Sequence, residues 1–333
     1  MKNQKSVKPK MRVSLSALGA MTLVCNSVLV CLPVLAQFSI SGFTVTADSL
    51  QLPPPAEISF SVPFMYAGVT STIPDYPNFV LVTPSNGDGG TRVAIGLNPK
   101  VVPFLPPGQY RLLASFTVDP QPTGPAGRFV NLLVLKPPPP VVTSVVNAAT
   151  LRTAISPGSQ VSIFGSNIGT PPVTSTYNDA GLYPTLLGHS TVTFNGVPAA
   201  LLYVSNSQIN AVVPFEVFGK SSVDVVVEHH GVSSPAISVP LSDASPGIFA
   251  VTQNGRGQGA VLNADNSVNS DGNPARKGSP VQIFATGAAP YLVGMLQVNA
   301  VIPEGVASGA QPVELTVGAF SNVTQQAVTI AVE

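Results

Sequence analysis

The heptapeptide QINAVVP (Gln208–Pro214) returns as QVNAVIP (Gln297–Pro303) 89 residues later, with five positions identical and the other two exchanging Ile for Val. A chain that writes one short strand twice is constrained to contain two related modules. In the first copy Ile209, Ala211 and Val213 point to one side and Gln208 and Asn210 to the other, the period of a strand with one buried face. Pro214 cannot donate to a sheet ladder, so it ends the strand. Asn is disfavoured in mid-strand, so Asn210 and Asn299 need a reason. Satisfying the backbone of an adjoining loop is favoured over ligand binding, because amides readily replace missing main-chain partners.

A second alignment shows that the copies differ in length. VSIFGSN and VQIFATG match at an offset of 120, from Val161 to Val281, whereas the QxNAVxP strands match at 89. The later copy therefore lacks 31 residues, equivalent to Ile168 through Pro198, and with them the strand TVTFNG. Each large apolar side chain of a buried strand contributes about 1.5–3 kcal/mol, against a domain stability of about 5–15 kcal/mol. Its loss uncovers apolar surface and unpaired backbone. The expectation is that Ser245 to Asn263, folded as a hairpin from GIFAVT and GQGAVLN, or a partner strand in trans, fills the open edge.

The rest of the chain is written in the same style. Charged residues are 9% of the total, too few for solvated helical faces, while 34 Pro and 29 Gly punctuate short Val-, Ile- and Thr-rich runs. That composition reads as many short strands joined by turns, and the apolar alternation argues against disorder. From Phe38 to Leu135 the runs FTVTA, EISFSV, FVLVTP, TRVAIGL, YRLLASFTV and RFVNLLVL suggest a sandwich of six or seven strands. Pro137–Pro140 removes four amide donors, so it reads as a stiff polyproline spacer rather than a ligand for a partner domain. The expected fold class is all-β, with tandem immunoglobulin-like β-sandwiches, the last one truncated. The expected divisions are 1–36, a signal peptide; 37–136, a first sandwich; 137–140, the linker; 141–241, a second sandwich; and 242–333, the shortened module.

The signal reading rests on Lys2, Lys5, Lys8, Lys10 and Arg12 ahead of an apolar run that ends in Val34-Leu35-Ala36, with cleavage expected before Gln37. An uncleaved anchor is the alternative that the run's length permits. A lipoprotein is disfavoured because Val24 and Val30 precede Cys25 and Cys31. Five of the fifteen Lys and Arg fall in this segment, leaving ten against fifteen Asp and Glu. A mildly acidic chain with no basic cluster is a poor binder of nucleic acid or anionic membrane. Both cysteines leave with the signal, so packing rather than disulfides must stabilise what remains.

The stretches FVLVTPSNGDGGTRVAIGLNP and LPPGQYRLLASFTV resemble the second half of a BACON-type immunoglobulin-like domain, although Phe79 stands where that family often has Trp. The resemblance implies attachment to secreted bacterial proteins, some of them carbohydrate-active, and sugar binding by name. SIFGSNIG, VTFNG and the QINAVVP strand resemble the TIG/IPT immunoglobulin-like fold. Over residues 141–333, SVVNAATLRTAISPGSQVSIFGSNIG, FNGVPAALLYVSNSQINAVVPFEV, ASPGIFAVTQNGRGQGAVLNADNSVNSDGNPARKGS and LQVNAVIPEGV together resemble the Solibacter-type uncharacterised C-terminal domain family. This last resemblance implies location and architecture, and no activity or binding residues come with it.

Chemistry is sparse along the chain. Of the three histidines, His189, His229 and His230, the adjacent pair should face opposite sides of a strand and could not share a metal without a bulge, and EHHG reads as a hairpin turn. There is no HExxH, no paired Cys and no GxSxG. A Ser–His–carboxylate triad dispersed along the sequence stays open. The acidic turns SNGDGG (Ser85–Gly90) and DNSVNSDGN (Asp265–Asn273) lack the late bidentate Glu of a calcium loop. GRGQG (Gly255–Gly259) leads into a strand rather than a phosphate-binding helix. NVT at Asn322 is a glycosylation acceptor only in a host that uses it.

No residue is assigned as catalytic, cofactor-binding or metal-ligating, and no cofactor is expected. The reading is a secreted or cell-surface bacterial module, extracellular or periplasmic, non-catalytic, with protein or polysaccharide partners. It has no nucleic-acid partner and meets membrane only through an uncleaved signal. Carbohydrate binding is the alternative, with Tyr66, Tyr76 and Tyr110 as candidates, weakened by the lack of Trp for stacking. A hydrolase with a dispersed triad comes third.

Overall fold

The computed structural model describes residues 42–333, except 60–62, 71–77, 89–90, 119–125, 177, 179–180, 289–293, 322–324 and 326–327. The signal segment, Tyr76 and Asn322 lie outside the described residues. The fold is all β, in tandem sandwiches, and among the described residues the helical turns are two short 3₁₀ segments, Val102–Phe104 and Phe215–Val217. Among the described residues no helix is long and apolar enough to cross a membrane.

Alternating apolar side chains build three separate cores. In the first sandwich a five-stranded sheet, in the order Phe43–Thr46, Ala126–Leu135, Gly108–Val118, Phe64–Thr70, Asn86–Gly87, faces a three-stranded sheet of Ala56–Ser59, Arg92–Leu97 and Val80–Thr83. Phe43–Thr46 runs parallel to Ala126–Leu135, and the other pairings are antiparallel. Phe79, Ile95, Leu112, Phe116 and Leu132 fill the space between the sheets.

The second sandwich packs the sheet Val173–Thr174, Ala200–Val204, Gln208–Val212, Gln160–Ser166, Val141–Asn147 against one centred on Ser190–Phe194 and Ser222–His229. Ile209, Ala211 and Val213 are fully buried in its core beside Ile163, Phe194 and Leu201. Ser222–His229 is flanked on both sides, by Ser190–Phe194 and by Ile237–Pro240. The third sandwich repeats part of this plan. Pro280–Thr286 pairs with Met295–Val301, as Gln160–Ser166 pairs with Gln208–Val212. Val328–Val332 pairs with Gly309–Pro312.

The absent strand leaves the expected slot, but Ser245–Asn263 does not fill it. Gly247–Ile248 and Val261–Leu262 join the free side of Pro280–Thr286, and Gly257–Gln258 runs parallel to Val328–Val332 on the side away from Gly309–Pro312. The reason is proximity along the chain. The segment lies beside the strand it precedes, the place that Val141–Asn147 holds next to Gln160–Ser166. Among the described residues Gly309–Pro312 is therefore an edge with one neighbour.

Second and third sandwiches are joined by buried amides. Asn147 donates from Nδ2 to the Ser245 carbonyl at 2.9 Å while its Oδ1 accepts from the Ala149 and Thr150 amides. Gln325 donates to the Ala149 and Ile248 carbonyls. The Gln160 amide donates to Thr286 Oγ1 at 2.8 Å, and Thr286 Oγ1 donates to the Gly294 carbonyl. Gly287 adopts φ +83°, and a Cβ there would collide with the Ser245 carbonyl. Only glycine permits both the left-handed backbone and the close approach.

Candidate functional site

Two hairpin turns meet at the end of the second sandwich that faces the first. Gly188 and His189 (φ +51° and +58°) join Leu187 to Ser190, and His230 and Gly231 (φ +48° and +72°) join His229 to Val232. Two consecutive positive φ values are the requirement of a tight two-residue hairpin turn matched to strand twist. The His230 amide donates to the His189 carbonyl at 3.0 Å, and the two rings stack with centroids 4.6 Å apart. Ser190 and His229 are direct cross-strand partners, so their side chains share a face. Opposite them stands Asp48 of the first sandwich, also at positive φ (+63°), in the turn after Phe43–Thr46.

These turns correct the expectation that His229 and His230 face apart. His230 has left the strand, and its left-handed backbone brings the side chain back toward that of His229. His229 Nε2 lies 2.7 Å from Asp48 Oδ2, and His230 Nε2 lies 3.2 Å from the same oxygen. His229 Nδ1 lies 2.8 Å from Ser190 Oγ, and His189 Nε2 lies 3.3 Å from the Phe104 carbonyl of the first sandwich. His229 and His230 are almost wholly buried, and Asp48 retains 11% exposure. One ligand atom from each of Asp48, His229 and His230 lies within 4.8 Å of the others.

Burial alone would raise the Asp48 carboxyl pKa, but the hydrogen bonds and charges of His229 and His230 together outweigh it and hold the group below its ordinary value. His189 moves down, chiefly through burial and then through repulsion from His230. Asp48 and His229 also line a cleft of about 480 Å³, walled by Thr46, Asn167, Thr170 and Tyr203.

Ser190, His229 and Asp48 place a histidine between a hydroxyl and a carboxylate, the constellation left open in the sequence. The arrangement does not suit a nucleophile. Ser190 is 0% exposed, and its Oγ is also 3.0 Å from the Ile168 carbonyl and 3.3 Å from that of Gly188. A substrate carbonyl has no approach to it, whereas a hydrolase needs its nucleophile open to a reacting atom. Chemically the cluster can hold two sandwiches together, and it can bind a cation.

Sequence reasoning missed Asp48, which sits in the unremarkable stretch TADSLQ, 181 residues from His229. The signal that was present lay in the paired turns, GH at 188–189 and HG at 230–231. The other singled-out residues serve structure. Among the described residues Asn210 and Asn299 reach side chains rather than a loop backbone. Asn210 Oδ1 accepts from Gln208 Nε2 and Ser162 Oγ, and Asn299 Oδ1 accepts from Gln297 Nε2, because residues two apart share a strand face. In DNSVNSDGN, Asp265 caps the turn by accepting from the Ser267 amide, and Asn269 is fully buried. Gly255 and Gly257 of GRGQG supply positive φ in a turn, and the Asp88 carbonyl accepts from the Thr91 amide in another. Tyr66 packs on Phe116, and Tyr110 donates to the Pro106 carbonyl. Gln160, Ser162, Gln208 and Asn210 line a second cleft of about 630 Å³, with Phe164 and Phe249 beside them.

No family model matches the chain, and no curated protein does. Among solved structures it is similar to SGBP-B of the Bacteroides ovatus mixed-linkage glucan utilization locus, solved with a mixed-linkage heptasaccharide. That match has 13% identity and a TM-score of 0.28 over 87% of this chain and 65% of that one. An auxiliary nutrient binding protein of Bacteroides ovatus matches at 18% identity and a TM-score of 0.20, over 40% of this chain and 26% of that one. Murine CEACAM1b matches at 14% identity and a TM-score of 0.20, over 60% of this chain and 96% of that one.

Proposed function

We propose that this chain is a non-catalytic interaction or structural module of the bacterial cell surface or periplasm, exported by its N-terminal segment and built on TIG/IPT-like domains of the Solibacter type. The observation that carries this reading is the use made of its reactive side chains. Asp48, His189, His229 and Ser190 are all engaged in bonds between neighbouring elements, most of them between the first and second sandwiches. The repeated QxNAVxP strand supports the domain assignment, and the basic–apolar start supports export. Exposure of the purified mature chain to a fluorophosphonate probe should leave every serine unlabelled. Labelling at Ser190 would establish a hydrolase instead.

Carbohydrate binding is the second reading, and the cleft along Gln160, Ser162, Gln208 and Asn210 favours it. Planar amides and hydroxyls beside apolar ring edges are the groups that satisfy sugar hydroxyls and cover sugar faces. A glycan array should show binding that Asn210→Ala reduces at least tenfold. An array at background level for the intact chain discards the idea.

A further inference from the structure

His229 is held by Ser190 on one side and faces Asp48 on the other. Ile168 is fully buried, and the Ser190 hydroxyl reaches its carbonyl at 3.0 Å. A hydroxyl carries a single proton. With that proton directed to Ile168, Ser190 Oγ can accept at 2.8 Å from His229 Nδ1, in the tautomer with its hydrogen on Nδ1. The Nε2 lone pair then points at Asp48 Oδ2 across 2.7 Å. Two acceptors so placed can share a cation, either a proton or a metal ion, and one ligand atom from each of Asp48, His229 and His230 lies within 4.8 Å of the others.

The surroundings favour a metal. Metal-bound imidazoles are oriented by a hydrogen bond from the second ring nitrogen, the role that Ser190 plays for His229. His230 brings a second Nε2 to within 3.2 Å and 3.4 Å of the two Asp48 oxygens. Ligands bonded tetrahedrally at 2.0–2.1 Å stand about 3.3 Å apart, so His230 and Asp48 already have ligand spacing. His229 Nε2 and Asp48 need to part by about 0.6 Å to reach that spacing, a small swing of a carboxylate at the edge of a cleft. Two imidazoles and one carboxylate suit zinc and its first-row neighbours better than calcium or magnesium, which prefer all-oxygen shells.

We propose that Asp48, His229 and His230 bind one divalent transition metal of the zinc type, with water from the adjoining cleft as a further ligand, so that the ion bridges the first and second sandwiches. The site goes beyond the proposed function and does not depend on what the chain binds at the cell surface.

The test uses the full mature chain, stripped with a chelator and then titrated with Zn(II) in competition with a chromophoric chelator, and separately with Co(II). One equivalent of Zn(II) should bind, the melting midpoint should rise, and Co(II) should develop the visible absorption of a four- or five-coordinate site. His230→Asn and Asp48→Asn should each weaken Zn(II) binding at least tenfold, and Ser190→Ala, which removes the orienting hydroxyl together with the donor to the Ile168 carbonyl, by about 10–100-fold. Should Asp48→Asn fail to fold, His230→Asn, on the turn, carries the comparison. A folded wild-type chain that takes up no stoichiometric Zn(II) overturns the proposal. So does binding that His230→Asn leaves unchanged, because the metal then sits elsewhere.

Discussion

Asn269 shows how much one amide can do. Its Nδ2 donates to Asn263 Oδ1 and the Ala331 carbonyl, and its Oδ1 accepts from the Ala331 amide and from Gln258 Nε2, all at 2.8–3.0 Å. It fixes an Asx-rich loop to the last strand. Truncation leaves buried donors and acceptors unpaired at about 1–3 kcal/mol each, so Asn269→Ala should destabilise the chain by at least about 2 kcal/mol, measured by urea denaturation. Gly287→Ala should cost more than about 1 kcal/mol, because Ala suits neither the positive φ nor the contact with Ser245. The same assay reads it. Such residues are hard to find in sequence. DNSVNSDGN declares itself a turn through its composition, but nothing local marks which Asn is anchored to a strand 62 residues away.

Strands were the most legible elements. Alternation in VSIF and QINAVV identifies the buried faces, because a period of two survives any tertiary context that keeps one side of the sheet in the core. The missing strand was legible too, as a mismatch between two offsets. That its place stays open among the described residues was not, since strand partners are chosen by proximity in space, and Ser245–Asn263 pairs beside Pro280–Thr286 instead. Among the described residues Gly309–Pro312 is left with a free edge, and Pro312 blunts it by lacking an amide donor. Ala310 on this edge is exposed. Ala310→Lys should leave the melting midpoint nearly unchanged and slow aggregation of concentrated protein, followed by light scattering. Unchanged aggregation would mean that the edge is already covered.

At the scale of the whole chain, Gln37–Glu333 holds together as one compact unit although it contains three cores. Polar joints rather than shared apolar packing account for this. Cutting the joint at Asp48 should uncouple the first sandwich. Calorimetry of Asp48→Ala should show it melting in a separate, earlier transition while the second and third, tied by Asn147 and Gln325, still melt together. The paired GH and HG turns hinted at this joint, but its members come from three turns far apart in the chain, and each turn's direction depends on a positive φ that is uncommon for any non-glycine residue. The linker adds a constraint of its own. Pro137 and Pro140 are buried while Pro138 and Pro139 are exposed, which repeats every three residues, the period of a polyproline helix. The tether therefore behaves as a threaded bolt with a phase. One inserted proline would turn the next sandwich by about a third of a revolution, and three would return it to register one thread further on.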